Sequence, residues 1–297
     1  MFKSILILVA LAAGLLLPRL AEYTFVIRPF LMTLLFFSFL DVKLDRSVFA
    51  RQQLYAAALL PLFGLGAYFL SNWYDKDLSL TLLLMGLAPT AVITPVLAKM
   101  IDRSVAYMVG AIIVSSLAFT LVVPVTLTWL LGIQLSPGNL AKLIYTIGSI
   151  IVIPLVLAQV VRRIGGKLIA VLRKMNSYIL VLFLINVAVA AGSLSAYLRD
   201  ESGTPWSFVW LTAGAIILLM LLNFTVGSLI APKGRSVEGS LALGRKNTML
   251  SIWIALEYLN PLIVLGPMIY ILAQNVFFAV QVWWLERNPD QPDKQAL

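Results

Sequence analysis

The chain has 297 residues, of which 61% are hydrophobic and 12% are charged, and its formal net charge is +9. Soluble domains usually contain about 45–50% apolar residues, so this composition indicates an integral membrane protein. The sequence contains no Cys and no His, which excludes disulfides, thiol nucleophiles, His-ligated metals and Ser–His–Asp chemistry.

Apolar runs of the length that crosses a bilayer, roughly 20 residues, recur along the chain. Ten such runs cover residues 4–20, 25–42, 52–71, 78–99, 104–132, 139–161, 177–197, 206–231, 240–258 and 262–286. The first run also fits a secretory signal peptide, but Pro18 and Arg19 follow it without a cleavage motif, which favours a retained helix. We therefore predict an all-α integral membrane protein with ten transmembrane helices.

The Lys and Arg residues are distributed unevenly between the two sides of the predicted membrane. With the N-terminus in the cytoplasm, fifteen of them fall on the cytoplasmic side and five on the outer side. Cytoplasmic loops of membrane proteins carry such an excess, so we predict a multi-pass protein of the cell membrane with both termini in the cytoplasm. The positive net charge then reports topology, and the lipid bilayer rather than nucleic acid is the expected partner. Nothing in the sequence fixes the oligomeric state.

Ten spans divide into two sets of five at the loop LSPGNL (135–140). Because five is odd, the second set enters the membrane in the opposite orientation, so any structural repeat is an inverted one. We predict a first five-helix repeat at 1–134, a second at 139–287 and a cytoplasmic tail at 288–297.

Spans four and nine are each interrupted by residues that break helices. The stretch 86–95 contains Pro89 and Pro95, and in span nine Gly244 is followed by the polar residues 245–248. Proline removes a backbone donor and leaves carbonyl groups free at mid-membrane depth. A simple proline kink is the alternative, but interruptions at matching positions in both halves favour a transport site.

Three stretches carry a resemblance to a known family: GLAPTAVITPVLAKMIDRSVAYMV (86–109), LALGRKNTMLSIWIAL (241–256) with PLIVLGPMIYILAQNVFFAVQVWW (261–284), and FLMTLLFFSFLDVKLDRS (30–47). They resemble spans of the bile acid:sodium symporter (BASS) family. The resemblance implies a panel domain and a core domain, each drawn from both repeats, with broken helices four and nine crossing near the middle. It also implies sodium-coupled uptake of organic anions.

The chain departs from that family where sodium would bind. In an ungapped comparison, the acidic ligand of the ninth span falls on Ala242 and its Gln on Lys246. A third-span Gln falls on Ala56, and a fourth-span Ser-Asn pair falls on Thr94 and Pro95. All thirteen acidic residues are assigned to loops, tails or span ends. We therefore predict no metal site, no carboxylate relay and no intramembrane aspartyl enzyme.

Arg245 and Lys246 stand side by side in span nine. If the span begins at Leu241, Lys246 lies about 7.5 Å along the helix and is able to snorkel to water. On a helix, however, the two cations are about 100° apart, and Asn247 and Thr248 continue the polar patch inward. Intramembrane cations usually mark a pathway or a ligand counter-ion, which favours a functional role. Lys246 then replaces sodium, and the planar guanidinium of Arg245 offers paired N–H donors to a carboxylate or sulfate.

The predicted substrate-binding residues are polar and lie at or after the two interruptions: Thr90, Thr94, Arg245, Lys246, Asn247, Thr248, Gln274 and Asn275. We predict no catalytic residue and no cofactor. Asn186 and Asn223 are expected to form interhelical hydrogen bonds. For Ser115 and Ser116, packing and site roles both stay open.

These features predict a secondary active transporter of a small organic anion that is not strictly sodium-coupled and is not an enzyme. One alternative is a conventional sodium-coupled symporter with displaced sodium ligands. From another class, the alternative is an anion channel, which would need polar stripes along several helices, whereas polarity concentrates in spans four, nine and ten.

Overall fold

The computed structural model describes residues 2–40, 49–130, 137–165, 169, 171–172, 175–200 and 205–287. Its helices are α1 (Phe2–Leu16), α2 (Ile27–Leu40), α3 (Arg51–Ser71), α4 (Lys76–Leu87), α5 (Thr94–Met100), α6 (Val105–Leu130), α7 (Pro137–Ile164), α8 (Asn176–Asp200), α9 (Trp206–Ile230), α10 (Ser236–Gly244), α11 (Thr248–Tyr258) and α12 (Leu265–Arg287). Two 3-10 helices occupy Pro18–Val26 and Pro261–Val264. The predicted tail at 288–297 lies outside the described residues, as do residues 135–136 of the predicted seam at 135–140.

In the described part of the chain, seven helical segments are long and apolar enough to cross a membrane: Pro18–Leu40, Arg51–Ser71, Val105–Leu130, Leu140–Ile164, Tyr178–Arg199, Trp206–Ile230 and Pro261–Leu285. The first predicted span is the shorter helix α1, and spans four and nine are each divided into two short helices. The chain is thus an all-helical, multi-pass membrane protein in which both predicted interruptions are breaks in a helix.

The helix ends differ from the predicted limits of spans four and nine for local reasons. Helix α4 begins at Lys76, because the Asp75 side chain caps it by accepting the Leu78 N–H at 2.8 Å. Helix α10 begins at Ser236, directly after a turn in which Gly234 has a left-handed φ of 77°. The first residues of α4 and α10 are therefore set by capping and turn residues rather than by hydrophobicity.

Pairs of glycines bring the broken spans against their neighbours. A Cβ added to Gly86 of α4 would lie 2.5 Å from the Cα of Gly64 in α3. A Cβ added to Gly239 of α10 would lie 2.2 Å from the carbonyl oxygen of Gly227 in α9. Small residues let membrane helices approach backbone to backbone, so these glycines fix where α4 and α10 lie.

Two asparagines buried in the membrane spans have different partners. The Asn186 amide of α8 donates to the Ile27 carbonyl oxygen of α2 at 3.4 Å, which is the interhelical hydrogen bond that was predicted. The Asn223 amide donates to the Leu219 carbonyl oxygen of its own helix at 2.7 Å. The interhelical prediction for Asn223 is therefore wrong, because a carbonyl one turn earlier is within reach.

Candidate functional site

The two helix breaks meet each other inside the helical body. Thr90, between α4 and α5, and Lys246, between α10 and α11, form an antiparallel β-bridge. The Ala91 N–H donates to the Arg245 carbonyl oxygen at 2.8 Å, and the Asn247 N–H donates to the Pro89 carbonyl oxygen at 2.7 Å. Backbone groups freed by one break are thus satisfied by the other break, as buried backbone requires.

Local sequence explains why the chain is extended at both breaks. Ala88 precedes Pro89 and has φ −52° and ψ 133°, because a residue before proline is disfavoured in the helical region. On the other side, Arg245 is also extended, with φ −88° and ψ 115°. Gly244 ends α10 where the chain has no room for a side chain, since an added Cβ would lie 2.3 Å from the ring of Phe224.

Each bridge residue uses its side chain to reach the end of the opposite half-helix. The Thr90 hydroxyl donates to the carbonyl oxygen of Ala242 in α10 at 2.6 Å. The Lys246 ammonium donates to the carbonyl oxygen of Gly86 in α4 at 3.4 Å. Both carbonyls lie in the last turn of a helix, where they lack an intrahelical partner and where the helix dipole favours a positive charge.

The backbone N–H groups of the bridge residues are held by helices α6 and α12. The Thr90 N–H donates to the Ser115 hydroxyl of α6 at 3.0 Å, and the Lys246 N–H donates to the side-chain oxygen of Gln274 in α12 at 3.1 Å. Ser115 also donates to the Thr90 hydroxyl at 3.0 Å. Two of the hydrogen bonds around Thr90, those of its N–H and of its side chain to the opposite half-helix, are therefore matched around Lys246.

Arg245 points away from Lys246, toward α12. Its guanidinium donates to the Gln274 carbonyl oxygen at 3.1 Å and to the Asn275 side chain at 3.0 Å, and it lies 5.4 Å from the centroid of the Phe278 ring. Successive side chains of an extended chain point to opposite sides. The expected separation of about 100° is therefore wrong, because the pair lies in the break and not on a helix.

Neither cation reaches water along its side chain. The exposed fraction is 1% for Lys246 and 3% for Arg245. The Lys246 ammonium ends on the Gly86 carbonyl oxygen, which belongs to another half-helix. The snorkelling alternative for Lys246 does not describe this conformation, because the ammonium is directed into the protein.

The other predicted site residues lie at the edges of the breaks. The Thr94 hydroxyl donates to the carbonyl oxygen of Ala91 at the start of α5. Asn247 caps α11 by accepting the Leu250 N–H at 3.3 Å, and Thr248 is the buried first residue of that helix. Hydrogen bonds join Thr90, Arg245, Lys246, Gln274 and Asn275 to the crossing, and the Asn247 N–H joins it as well by donating to the Pro89 carbonyl oxygen at 2.7 Å. Thr94 and Thr248 shape the helix ends beside it.

One residue of the crossing was missed by sequence reasoning. The Tyr270 hydroxyl of α12 donates to the Gly244 carbonyl oxygen at the end of α10 at 2.7 Å. Tyr270 lies four residues before Gln274, so the two share one face of a helix, and a buried tyrosine hydroxyl normally has a partner. The four-residue spacing between Tyr270 and Gln274 was the sequence pattern that could have identified Tyr270.

Oxygen atoms at the crossing are occupied by donors of the protein itself. Carbonyl oxygens of Gly86, Ala242 and Gly244 accept hydrogen bonds from Lys246, Thr90 and Tyr270, respectively. Among the described residues, no group of three or more His, Cys, Asp or Glu is arranged to hold a metal ion. A sodium ion bound by these half-helix carbonyls would have to displace the protein's own donors.

Comparison with known families agrees with this architecture. The model of the SBF-like CPA transporter family matches residues 5–255, a range that includes both helix breaks and the cationic pair. No curated protein matches the chain. Because the matched family is one of transporters, the predictions of a membrane transport protein and of no enzymatic activity are confirmed. The chain belongs to the SBF-like CPA transporter family, which is related to the bile acid:sodium symporters.

Proposed function

We propose that this protein is a secondary active transporter of a small organic anion in which Lys246 provides the positive charge at the crossing, so that transport is not strictly sodium-coupled. The observation that carries the proposal is the buried Lys246 ammonium, 3.4 Å from the Gly86 carbonyl oxygen in the last turn of α4. By the family resemblance, this is the region in which sodium would bind.

A built-in cation suits the ends of the half-helices. Helices α4 and α10 both end at the crossing, and their C-terminal carbonyls carry partial negative charge. An ammonium at one of them neutralises that charge without an external ion. The two remaining carbonyls, of Ala242 and Gly244, accept neutral hydroxyl donors. This division of donors supports a crossing that is held together in the absence of sodium.

An anionic substrate is supported by the charges around the crossing. Arg245 and Lys246 are both buried there. Described carboxylates on the broken spans lie at their far ends instead: Asp77 in the first turn of α4, Glu238 in the first turn of α10 and Glu257 near the end of α11. Buried cations without a neighbouring carboxylate are costly unless a ligand of opposite charge visits them.

The proposal includes two inverted five-helix repeats, at 1–134 and 139–287, with panel and core domains drawn from both. The reciprocal hydrogen bonds of Thr90 and Lys246 support it. A second reciprocal pair lies farther out: the Asp77 carboxylate accepts from the Asn260 side chain at 2.8 Å, and the Glu238 carboxylate accepts from the Ser104 N–H at 3.2 Å. Asp77 lies in the first turn of span four and contacts the segment after span nine. Glu238 lies in the first turn of span nine and contacts the segment after span four.

Exchange of sodium for choline tests the coupling. The protein, reconstituted with an organic anion chosen by a melting-temperature screen, is assayed at constant ionic strength in either cation. We expect binding and uptake to change by less than about twofold, because little coupling free energy depends on sodium. A loss of about tenfold or more in choline would support the conventional sodium symporter with displaced ligands.

A further inference from the structure

Arg28 lies at a junction of three helices, near the middle of the membrane-length segment Pro18–Leu40. Its guanidinium donates from the start of α2 to the Ser149 hydroxyl of α7 at 3.4 Å. The guanidinium carbon also lies 5.9 Å from the centroid of the Trp253 ring in α11. Arg28 is partly buried, and only 3% of Trp253 is exposed. A cation at membrane depth is costly and usually has a function.

The helices of the protein pack in two groups. Helices α1, α2, α7 and α8 form one set of contacting helices, and helices α3, α4, α5, α6, α9, α10 and α12 form the other. Helix α11, the second half of broken span nine, contacts α4 and α12 of the second group and α2 and α8 of the first. The contact between Arg28 and Trp253 therefore joins the two groups.

This contact lies on the outer half of the boundary between the groups. In the proposed topology, α11 and the 3-10 helix Pro261–Val264 lie between the crossing and the outer surface, and both contact α8. Trp253 follows Thr248, the first residue of α11, by five residues, which places it about 7.5 Å outward from the break. The inner half-helices α5 and α10 contact members of the second group. In this conformation the boundary is therefore packed on its outer half.

Apolar side chains fill the boundary on the crossing side of the junction. Leu31 lies one turn after Arg28 in α2, and Leu250 lies one turn before Trp253 in α11. Their exposed fractions are 2% and 0%, and both belong to one buried apolar cluster. A solute from the outside therefore reaches the crossing along this boundary only if the two groups separate.

We propose that Arg28 is an outer latch, whose contacts with Trp253 and Ser149 hold the two helix groups together and close the path from the outside to the crossing. A guanidinium is attracted to the face of an indole ring, and more strongly where water is excluded. Because this attraction is lost when α11 moves away from α2, it stabilises only the closed conformation. The inference goes beyond the proposed substrate and coupling, and it rests on the proposed topology.

The accessibility of a single cysteine tests the latch, because the chain contains no Cys and an introduced cysteine is then the only thiol. The reporter is Leu31→Cys in the full-length protein, labelled in right-side-out vesicles with a membrane-impermeant maleimide. We expect slow labelling with Arg28 present, and labelling about fivefold or more faster with Arg28→Gln, because the population shifts toward the open conformation. Arg28→Lys should have a smaller effect, since lysine keeps the charge but lacks the planar guanidinium.

A second variant removes the other partner of the same contact. Trp253→Leu should also accelerate labelling of Leu31→Cys. The double variant with Arg28→Gln should be no faster than the faster single variant, because both substitutions remove one interaction. Additive acceleration would contradict a shared contact.

Two controls separate the latch from general effects of the substitutions. Arg19→Gln removes an exposed arginine from the 3-10 helix Pro18–Val26, which leads into α2, and should leave the labelling of Leu31→Cys unchanged. Ile216→Cys lies in α9, is 0% exposed and belongs to a different buried cluster. Its labelling should stay slow with Arg28→Gln, whereas equal acceleration there would mean general loosening and would overturn the latch.

The outcomes separate the latch from the proposed function, because labelling needs no substrate. A rate within about twofold of the wild-type rate in Arg28→Gln would overturn the latch alone. If Arg28→Gln does not fold, an unchanged rate in Trp253→Leu would overturn it equally. Trp73→Cys, at an 82% exposed position in the loop after α3, should be labelled rapidly in every variant. Its protection would overturn the proposed topology, and the latch with it.

Discussion

Thr90 connects the first helix break to two helices, α10 and α6, through one hydroxyl group. It donates to the Ala242 carbonyl oxygen of α10 and accepts from Ser115 of α6. Thr90→Val keeps the shape but leaves the buried Ala242 carbonyl oxygen without this donor, whereas the Ser115 hydroxyl still has the Ala111 carbonyl oxygen at 2.6 Å. We therefore expect a loss of about 1–3 kcal/mol and a lower melting temperature. Thr90→Ser keeps the hydroxyl and should be milder. Thr33→Val is the control, since among the described residues that hydroxyl bonds only to the Pro29 carbonyl of its own helix. Equal melting temperatures for the two valine variants would contradict this role.

Sequence reasoning located the polar residues of the crossing but not their directions. Polar residues after a proline or glycine inside an apolar run were sufficient to indicate Thr90, Lys246 and their neighbours. The direction of each side chain depends on whether the backbone is helical or extended, and the apolar pattern assigned the pair to a helix. Only the pairing of the two breaks makes the backbone at Arg245 extended and separates it from Lys246. That pairing joins residues more than 150 positions apart, which no local pattern specifies.

The broken helices depend on glycines that permit backbone contact. Gly86→Ala places a methyl group 2.5 Å from the Cα of Gly64, and Gly239→Ala places one 2.2 Å from the Gly227 carbonyl oxygen. Because the obstacle is backbone in both cases, we expect each variant to separate its helix pair and to lower folded yield and melting temperature. The controls are Gly66→Ala in α3 and Gly214→Ala in α9, where an added Cβ meets nothing within 4 Å. Wild-type melting of Gly86→Ala would contradict the close contact between α3 and α4.

Long apolar helices were easier to predict than the ends of short ones. Apolar runs at 206–231 and 262–286 correspond closely to α9 and to Pro261–Leu285. Span nine was expected from residue 240, whereas α10 already begins at Ser236 and contains the buried acid Glu238. A span predicted from hydropathy does not extend to include such an acid. One oxygen of its carboxylate accepts the Ser104 N–H at 3.2 Å, and the other has no hydrogen-bond partner among the described residues, so a tertiary hydrogen bond compensates for only part of its burial.

The whole molecule is predicted to cross the membrane ten times with both ends inside. The two broken spans each count as one crossing, although neither contains a single long helix. A reporter fused after Leu297, or inserted between Gly165 and Gly166, should report the cytoplasm, because the basic residues concentrate on that side. A reporter inserted in the loop at 199–203 should report the exterior. A cytoplasmic signal from that loop would overturn the ten-span topology and, with it, the inverted repeat.

The most direct test of the fixed cation is the affinity of Lys246→Ala for an organic anion that binds the wild type, measured by binding isotherms in sodium and in choline. Lys99→Ala, at the exposed end of α5, is the control and should bind as the wild type does. Lys246→Ala leaves the Gly86 carbonyl and the bound anion without their positive partner. We predict a loss of about 2–3 kcal/mol, roughly 30- to 150-fold in affinity, in both cations and with near-normal expression. Unchanged affinity in Lys246→Ala would contradict the account, and Arg245 would then be no candidate for substrate binding either.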